Sequence, residues 1–147
     1  MGPEAGGSDL VVVTDAVRAF LEEPRFASLA TLNPDGSVQQ TVMWYALRGD
    51  EIVMNTARGR KKDRNLLRDR RISICVEDGY RYVTIVGEVS LVEDQPTAQA
   101  DIKRLAERYH DPERAAAMVR DGFAKQERIS LLLPIGRVDA HGFGDEG

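Results

Sequence analysis

Apolar residues recur along the chain with two different periods, and the switches between them mark its elements. Val13, Val17, Phe20 and Leu21 follow one another at helical spacing behind Thr14 and Asp15, two candidate caps, and predict a short amphipathic helix. From Phe26 to Leu32 the period drops to two. Asn33-Pro34-Asp35-Gly36 then supplies a tight turn, with Pro fixing φ and Gly accepting a positive φ. Val38 to Leu47, rich in Val, Thr, Trp and Tyr, reads as a second strand. Arg48-Gly49-Asp50 reads as a turn and Glu51 to Thr56 as the third strand of an antiparallel meander.

A polar stretch holding Leu66 and Leu67 predicts a short helix ending near Asp69, after which Arg71 to Val76 returns to strand pattern and Glu77-Asp78-Gly79 turns the chain. Tyr80 to Val92 is rich in β-branched residues and reads as one long strand, bent or bulged at Gly87. The period then lengthens again. Ala98, Ile102, Leu105, Ala106 and Tyr109 share one face of a helix from Pro96 to Tyr109, and Pro112 to Lys125 predicts a second, Ala-rich helix. Ile129 to Leu133 and Arg137 to His141 close the series as strands around Pro134 and Gly136. Short strands, late helices and no βαβ alternation predict a mainly β chain with a few helices, an antiparallel split β-barrel rather than a doubly wound sheet. Residues 1–10, Gly-rich, are expected to be a disordered leader, and 11–147 a single domain.

Composition agrees with one domain: 147 residues, 42% hydrophobic and 30% charged, suffice for one core but not for two. No apolar run approaches the ~18 residues of a membrane span, and residues 1–10 lack the basic and apolar regions of a secretory signal, so the expected location is the cytoplasm. Cys75 is the sole cysteine, which excludes an internal disulfide; it stands in the run Ile72, Ile74, Cys75, Val76 and reads as a buried, inert thiol. With two histidines beside it, the supply of soft ligands is too thin for a zinc or iron site, and none is expected.

Charge changes the picture once it is divided along the chain. Between Arg58 and Arg71, eight basic residues (Arg58, Arg60, Lys61, Lys62, Arg64, Arg68, Arg70, Arg71) face only Asp63 and Asp69, so the segment is +6, in a chain of net −4 whose remainder is therefore −10. A cluster of like charges repels itself unless something compensates it, which points either to an anion site or to a solvated helix face. The local order favours an anion site. A strand ends in Asn55-Thr56, Gly59 lets the backbone turn close to a ligand, and a short helix starts where Arg60 and Lys62 supply charge-assisted hydrogen bonds. The spacing is neither that of a nucleotide P-loop nor that of a dinucleotide fingerprint. Nucleic acid is disfavoured as a partner, because the acidic remainder would repel a polyanion and no aromatic stacking motif is present.

The ordered set Ala30-Thr31-Leu32-x-Pro34-x-Gly36, Val42-x-Trp44, Asn55-Thr56-Ala57-Arg58-Gly59-Arg60-Lys61-Lys62-Asp63-Arg64-Asn65-Leu66, Arg71-Ile72-Ser73, Tyr82-Val83 and Gly87-Glu88-Val89 resembles the pyridoxamine 5′-phosphate oxidase-like split-barrel superfamily. Within it, the chain is most similar to the deazaflavin (coenzyme F420)-dependent oxidoreductases. The resemblance implies a homodimer with two cofactor sites at the subunit interface. Each cofactor would lie across the strand at Val42 and Trp44, with Arg60 and Lys62 where the family binds phosphate. Asn55, Thr56, Ala57, Arg58, Lys61 and Asn65 of the same motif complete the candidate cofactor site, and Tyr80 and Tyr82 of the partner chain would cover the ring.

Coenzyme F420 adds a lactyl carboxylate and glutamates to its phosphate, and eight cations in one segment exceed what flavin mononucleotide (FMN) requires, so F420 is the expected cofactor and FMN the alternative. The implied activity is hydride transfer from reduced deazaflavin to an unsaturated small-molecule acceptor. The alternatives are an FMN-binding oxidoreductase of the same fold or a carrier that binds a flavin or tetrapyrrole without turnover. The tail Pro134 to Phe143 lacks the Arg and His motif of the pyridoxamine oxidases, which argues against vitamin B6 oxidation. No catalytic residue is singled out; Tyr45, Tyr80, Tyr82 and water are all candidate proton donors.

Overall fold

Thr14 caps the first helix, α1 (Asp15–Glu22), through its side chain, which accepts the Val17 N–H, and the helix buries Val17, Phe20 and Leu21. The computed structural model describes residues 13–144; the leader expected at residues 1–10 lies outside the described residues. Two strands follow, β1 (Phe26–Leu32) and β2 (Val38–Trp44), in antiparallel register with Phe26 opposite Trp44 and Leu32 opposite Val38. The long second strand expected through Leu47 breaks at Tyr45, and β3 (Ala46–Arg48) belongs to another sheet. The break has a physical cause. Tyr45 is fully buried, its hydroxyl donates to the Leu21 carbonyl at 2.9 Å, and its own N–H donates to the Tyr109 hydroxyl instead of a strand neighbour.

Strand β4 (Glu51–Ala57) leads into α2 (Lys61–Arg68), then β5 (Arg71–Glu77) and β6 (Tyr82–Glu88). The long strand expected from Tyr80 to Val92 is likewise two. At buried Val89, whose N–H donates to Arg70, the chain crosses to the second sheet as β7 (Ser90–Val92). Gly87 permits the crossing, since a Cβ there would stand 3.1 Å from Cδ1 of Leu133. Helices α3 (Gln95–Tyr109) and α4 (Pro112–Asp121) are capped by Asp94 and Asp111, each with Pro in its first turn. The second helix stops four residues before Lys125, because Gly122 breaks it into a 3₁₀ turn at Phe123–Lys125. Strands β8 (Arg128–Pro134) and β9 (Arg137–His141) complete the chain.

The strands form two antiparallel sheets, ordered β9-β6-β5-β1-β2 and β3-β4-β8-β7. Their inner faces enclose a core of Leu29, Met43, Ile74, Ile85, Met54, Leu131 and their neighbours, which α1 helps to close with Phe20 and Leu21. Helix α3 covers the outer face of the second sheet, so β4 is buried on both faces from Ile52 to Ala57, the polar Asn55 and Thr56 included. The first sheet is different. Its outward row of Val42, Ser28, Cys75 and Thr84, and the neighbouring row of Ser73 and Val86, have no covering element among the described residues, and Val42 is 69% exposed. Cys75 is therefore half-buried on this open face rather than packed in the core as expected. Among the described residues, no helix is long and apolar enough to cross a membrane.

Candidate functional site

A cavity of about 320 Å³ opens where the two sheets part, beside the rim of the open face. The second half of β2 supplies one wall, Thr41, Val42, Met43 and Trp44; the end of β4 supplies Asn55 and Thr56, and the start of α2 supplies Arg60 and Lys62. Ile102 and Leu105 of α3, Met118 of α4 and Phe123 of the 3₁₀ turn form the apolar side, and Arg128 enters from the start of β8. The Trp44 indole is fixed by stacking on Tyr109, with ring centroids 5.4 Å apart and planes 12° from parallel, and meets Phe123 edge-on.

Three cations thus converge on one cavity: Arg60, Lys62 and Arg128. Lys62 is 7% exposed and Arg128 only 5%. Among the described residues, none of the three pairs with a carboxylate. The consequence is visible in the acidities of Lys62 and Arg128. Burial, and then the charges of Arg60 and Arg128, hold the Lys62 ammonium below its ordinary pKa; burial, and then Arg60, bring Arg128 down to about 10. At neutral pH the cavity keeps an excess of positive charge beside an apolar wall. Such an arrangement suits a ligand with one anionic end and one flat apolar part.

Arg128 is held by neutral groups. Its Nε donates to Oδ1 of Asn55 at 2.9 Å, one Nη donates to Oε1 of Gln126 at 2.5 Å, and its plane lies 4.9 Å from the Phe123 ring. Asn55 in turn donates through Nδ2 to the Ala98 carbonyl at 3.0 Å and to Oγ of Ser130 at 3.1 Å. The Ser130 hydroxyl donates to Oδ2 of Asp101 at 2.7 Å. The carboxylate at the end of this chain is occupied by Arg48 and Arg104.

Of the residues expected from sequence, Val42, Trp44, Asn55, Thr56, Arg60 and Lys62 are brought together in this cavity. Others are placed elsewhere. Ala57 is buried within β4, and Arg58 turns to Asp63 at 3.2 Å and Glu93 at 3.6 Å. Lys61 lines a separate hollow with Asn33, Asp35 and Ser37. The buried Asn65 amide donates to Thr31 and Asn33 and so ties α2 to β1. Tyr80 sits in the exposed turn, and Tyr82 stacks on His141 at the edge of the open face. Tyr45 leaves the set of proton donors, because its hydroxyl is buried against main-chain carbonyls and its pKa is pushed up to about 12 by burial.

The basic segment is also dispersed. Arg58 is paired with Asp63, Arg64 and Arg68 donate to the carbonyls of Gly59 and Leu32, and Arg71 pairs with Asp69. Only Arg60 and Lys62 of that segment line the cavity, so the segment's eight cations do not measure the length of the ligand. Sequence reasoning missed Thr41, Met43, Ile102, Leu105, Met118, Phe123 and Arg128. Arg128 carried one usable signal, an arginine at the mouth of a mostly apolar strand, but its position depends on the register that pairs it with Ala57.

Fold and cavity together define a class, the split β-barrels with a cation-lined cavity where their sheets part. The family model described as pyridoxamine 5′-phosphate oxidase matches residues 13–140, and the chain belongs to that family, which includes oxidoreductases. Among curated proteins, none matches the sequence. A solved structure of an F420 reductase is 27% identical, with 83% of this chain and 94% of that one covered and a TM-score of 0.66. A conserved hypothetical protein from Mycobacterium tuberculosis is 30% identical over 95% of this chain and 89% of that one, with a TM-score of 0.72. The FAD and heme binding protein from Mycobacterium smegmatis shares the fold at 19% identity and a TM-score of 0.62, covering 86% of this chain and 71% of that one.

Proposed function

We propose that this chain is an F420-dependent oxidoreductase that passes hydride from the reduced deazaflavin to an unsaturated small-molecule acceptor, working in the cytoplasm as a homodimer with cofactor sites at the subunit interface. The observation that carries the reading is the pairing, in one cavity, of cations that no described carboxylate neutralises with the apolar wall at Val42, Met43 and Trp44. Similarity to an F420 reductase supports the choice of cofactor.

The cofactor, when bound, supplies the hydride chemistry. The protein's part is positional. Arg60 and Lys62 hold the phosphate, and the β2 wall gives the ring an apolar surface whose orientation Trp44 shares with Tyr109. Ile102, Leu105 and Met118 keep water from the inner side. The open face of the first sheet, bordered by Val42 and bearing exposed Phe26, Val38 and Val86, is the surface assigned to the second subunit, which would close the cavity from outside.

Trp44 is the single tryptophan and lines the cavity, so titration with F420 followed by its fluorescence is the direct test. Saturable quenching at low salt is expected, followed by acceptor-dependent oxidation of reduced F420. No quenching at low salt would reject the cofactor; binding without turnover across a panel of activated alkenes and imines would leave a carrier. FMN is the second reading, and one observation favours it: of the basic segment only Arg60 and Lys62 line the cavity, so that segment lays out no row of cations for a polyanionic tail. Protein purified from a host without F420 is yellow if that reading holds.

A further inference from the structure

We infer that Arg128 is a third ligand for the anion in this cavity, and that Asn55 and Gln126 are positioning residues that aim its guanidinium at a phosphorylated group. The inference rests on the cavity's being the anion site of the proposed function, and does not depend on which cofactor bears the phosphate.

A buried arginine with a purely structural role is ordinarily met by a carboxylate, because an uncompensated buried charge is strongly destabilising. Arg128 is 5% exposed and is met only by neutral acceptors, the side-chain oxygens of Asn55 and Gln126. These fix Nε and one Nη without removing the charge. The other Nη makes no hydrogen bond among the described residues, although the side chain lines the cavity. Asp101 could have served as a counter-ion, yet its oxygens are taken by Ser130, Arg48 and Arg104. Its effect reaches Arg128 only by way of Ser130 and Asn55, as orientation rather than neutralisation. Both donors of Asn55 are already used, so Asn55 acts through Arg128 rather than on the ligand. A guanidinium so fixed, sharing the cavity with Arg60 and Lys62, suits a phosphate, whose greater charge and further oxygens give the other two cations partners that a lone carboxylate lacks.

The test uses inorganic phosphate as probe, followed by ³¹P line broadening, with F420 and FMN titrated in parallel by Trp44 fluorescence. Arg128→Met is expected to weaken phosphate binding about 10-fold or more. Gln126→Glu, at an exposed position where folding is not at risk, places a carboxylate on the Nη that Gln126 now holds. It is expected to weaken binding at least about 3-fold at neutral pH and to recover toward the parent's affinity at the same pH, as acid protonates the new carboxyl, below the ordinary glutamate range because Arg128 favours its charged form. A role in packing alone would not give that recovery. Should Arg128→Met fail to fold, Gln126→Glu decides the matter. Phosphate affinities within about 2-fold of the parent in the folded variants, or a parent that ignores phosphate at tens of millimolar, would overturn the inference. Arg128-dependent phosphate binding in a protein that ignores both F420 and FMN would leave it standing and remove the proposed function. F420 binding that is indifferent to Arg128 and Gln126 would do the reverse.

Discussion

Lys62 shows how a residue can be chosen against stability. Its ammonium is buried beside Arg60 and Arg128, and its pKa in the ligand-free fold lies below the 10.5 of an exposed lysine. The unfolded chain therefore binds the proton more tightly, and the stability of the empty protein rises with pH between the depressed value and 10.5. Anion binding has the opposite sign, since a bound phosphate favours the charged lysine and affinity falls as pH rises through the same window. Lys62→Met is accordingly expected to raise the melting temperature of the ligand-free protein by a few degrees, about 1 kcal/mol, while weakening cofactor binding by about 2 kcal/mol. Calorimetry with and without cofactor checks both halves; equal melting shifts in the two states would show that Lys62 does not face the anion.

Corners between the two sheets decide where the elements end, and each depends on one residue. Tyr45→Phe removes a buried hydroxyl that shares the Leu21 carbonyl with Arg108 and is expected to cost about 1 kcal/mol in urea denaturation. Turnover per folded molecule should not change, because that hydroxyl faces away from the chemistry; a lost kcat with unaltered stability would restore Tyr45 as a proton donor. At the other corner, Gly87→Ala places a methyl 3.1 Å from the fully buried Leu133 and is expected to destabilise by about 1–2 kcal/mol. The two long strands read from sequence failed at these corners for a common reason. Strand-forming residues continue across both, so Gly87 read as a bend within one strand and Tyr45 as no interruption, whereas the breaks are made by a hydroxyl and a close sheet-to-sheet approach. Helix starts were more legible, because Thr14 acts on a donor three residues on and Pro96 and Pro112 pre-set the first turn of their helices.

For the molecule as a whole, the asymmetry between the sheets is what the proposed dimer rests on. The second sheet is covered by α3, and the first offers Phe26, Val42 and Val86 to solvent. Val86→Arg, which lies on the open face and outside the cavity, is expected to convert the dimer of the proposed function to a monomer in sedimentation equilibrium and to weaken cofactor binding at least about 10-fold. A monomeric parent, or a dimeric variant, would move the subunit contact elsewhere.

Sequence by itself determined the alternation of strands, the late pair of helices, and the block from Asn55 to Lys62 that puts two cations on the cavity, because periodicity, caps and turn chemistry act over a few residues. Only the tertiary structure decided which charges remain free for a ligand. Arg58 and Arg71 stand in the same basic run as Arg60 and Lys62, yet they meet Asp63 and Asp69. Arg128 joins the cavity from more than sixty residues away because β8 pairs with β4. Ion pairing depends on distances of a few ångströms between elements far apart in the chain, and no local pattern encodes them.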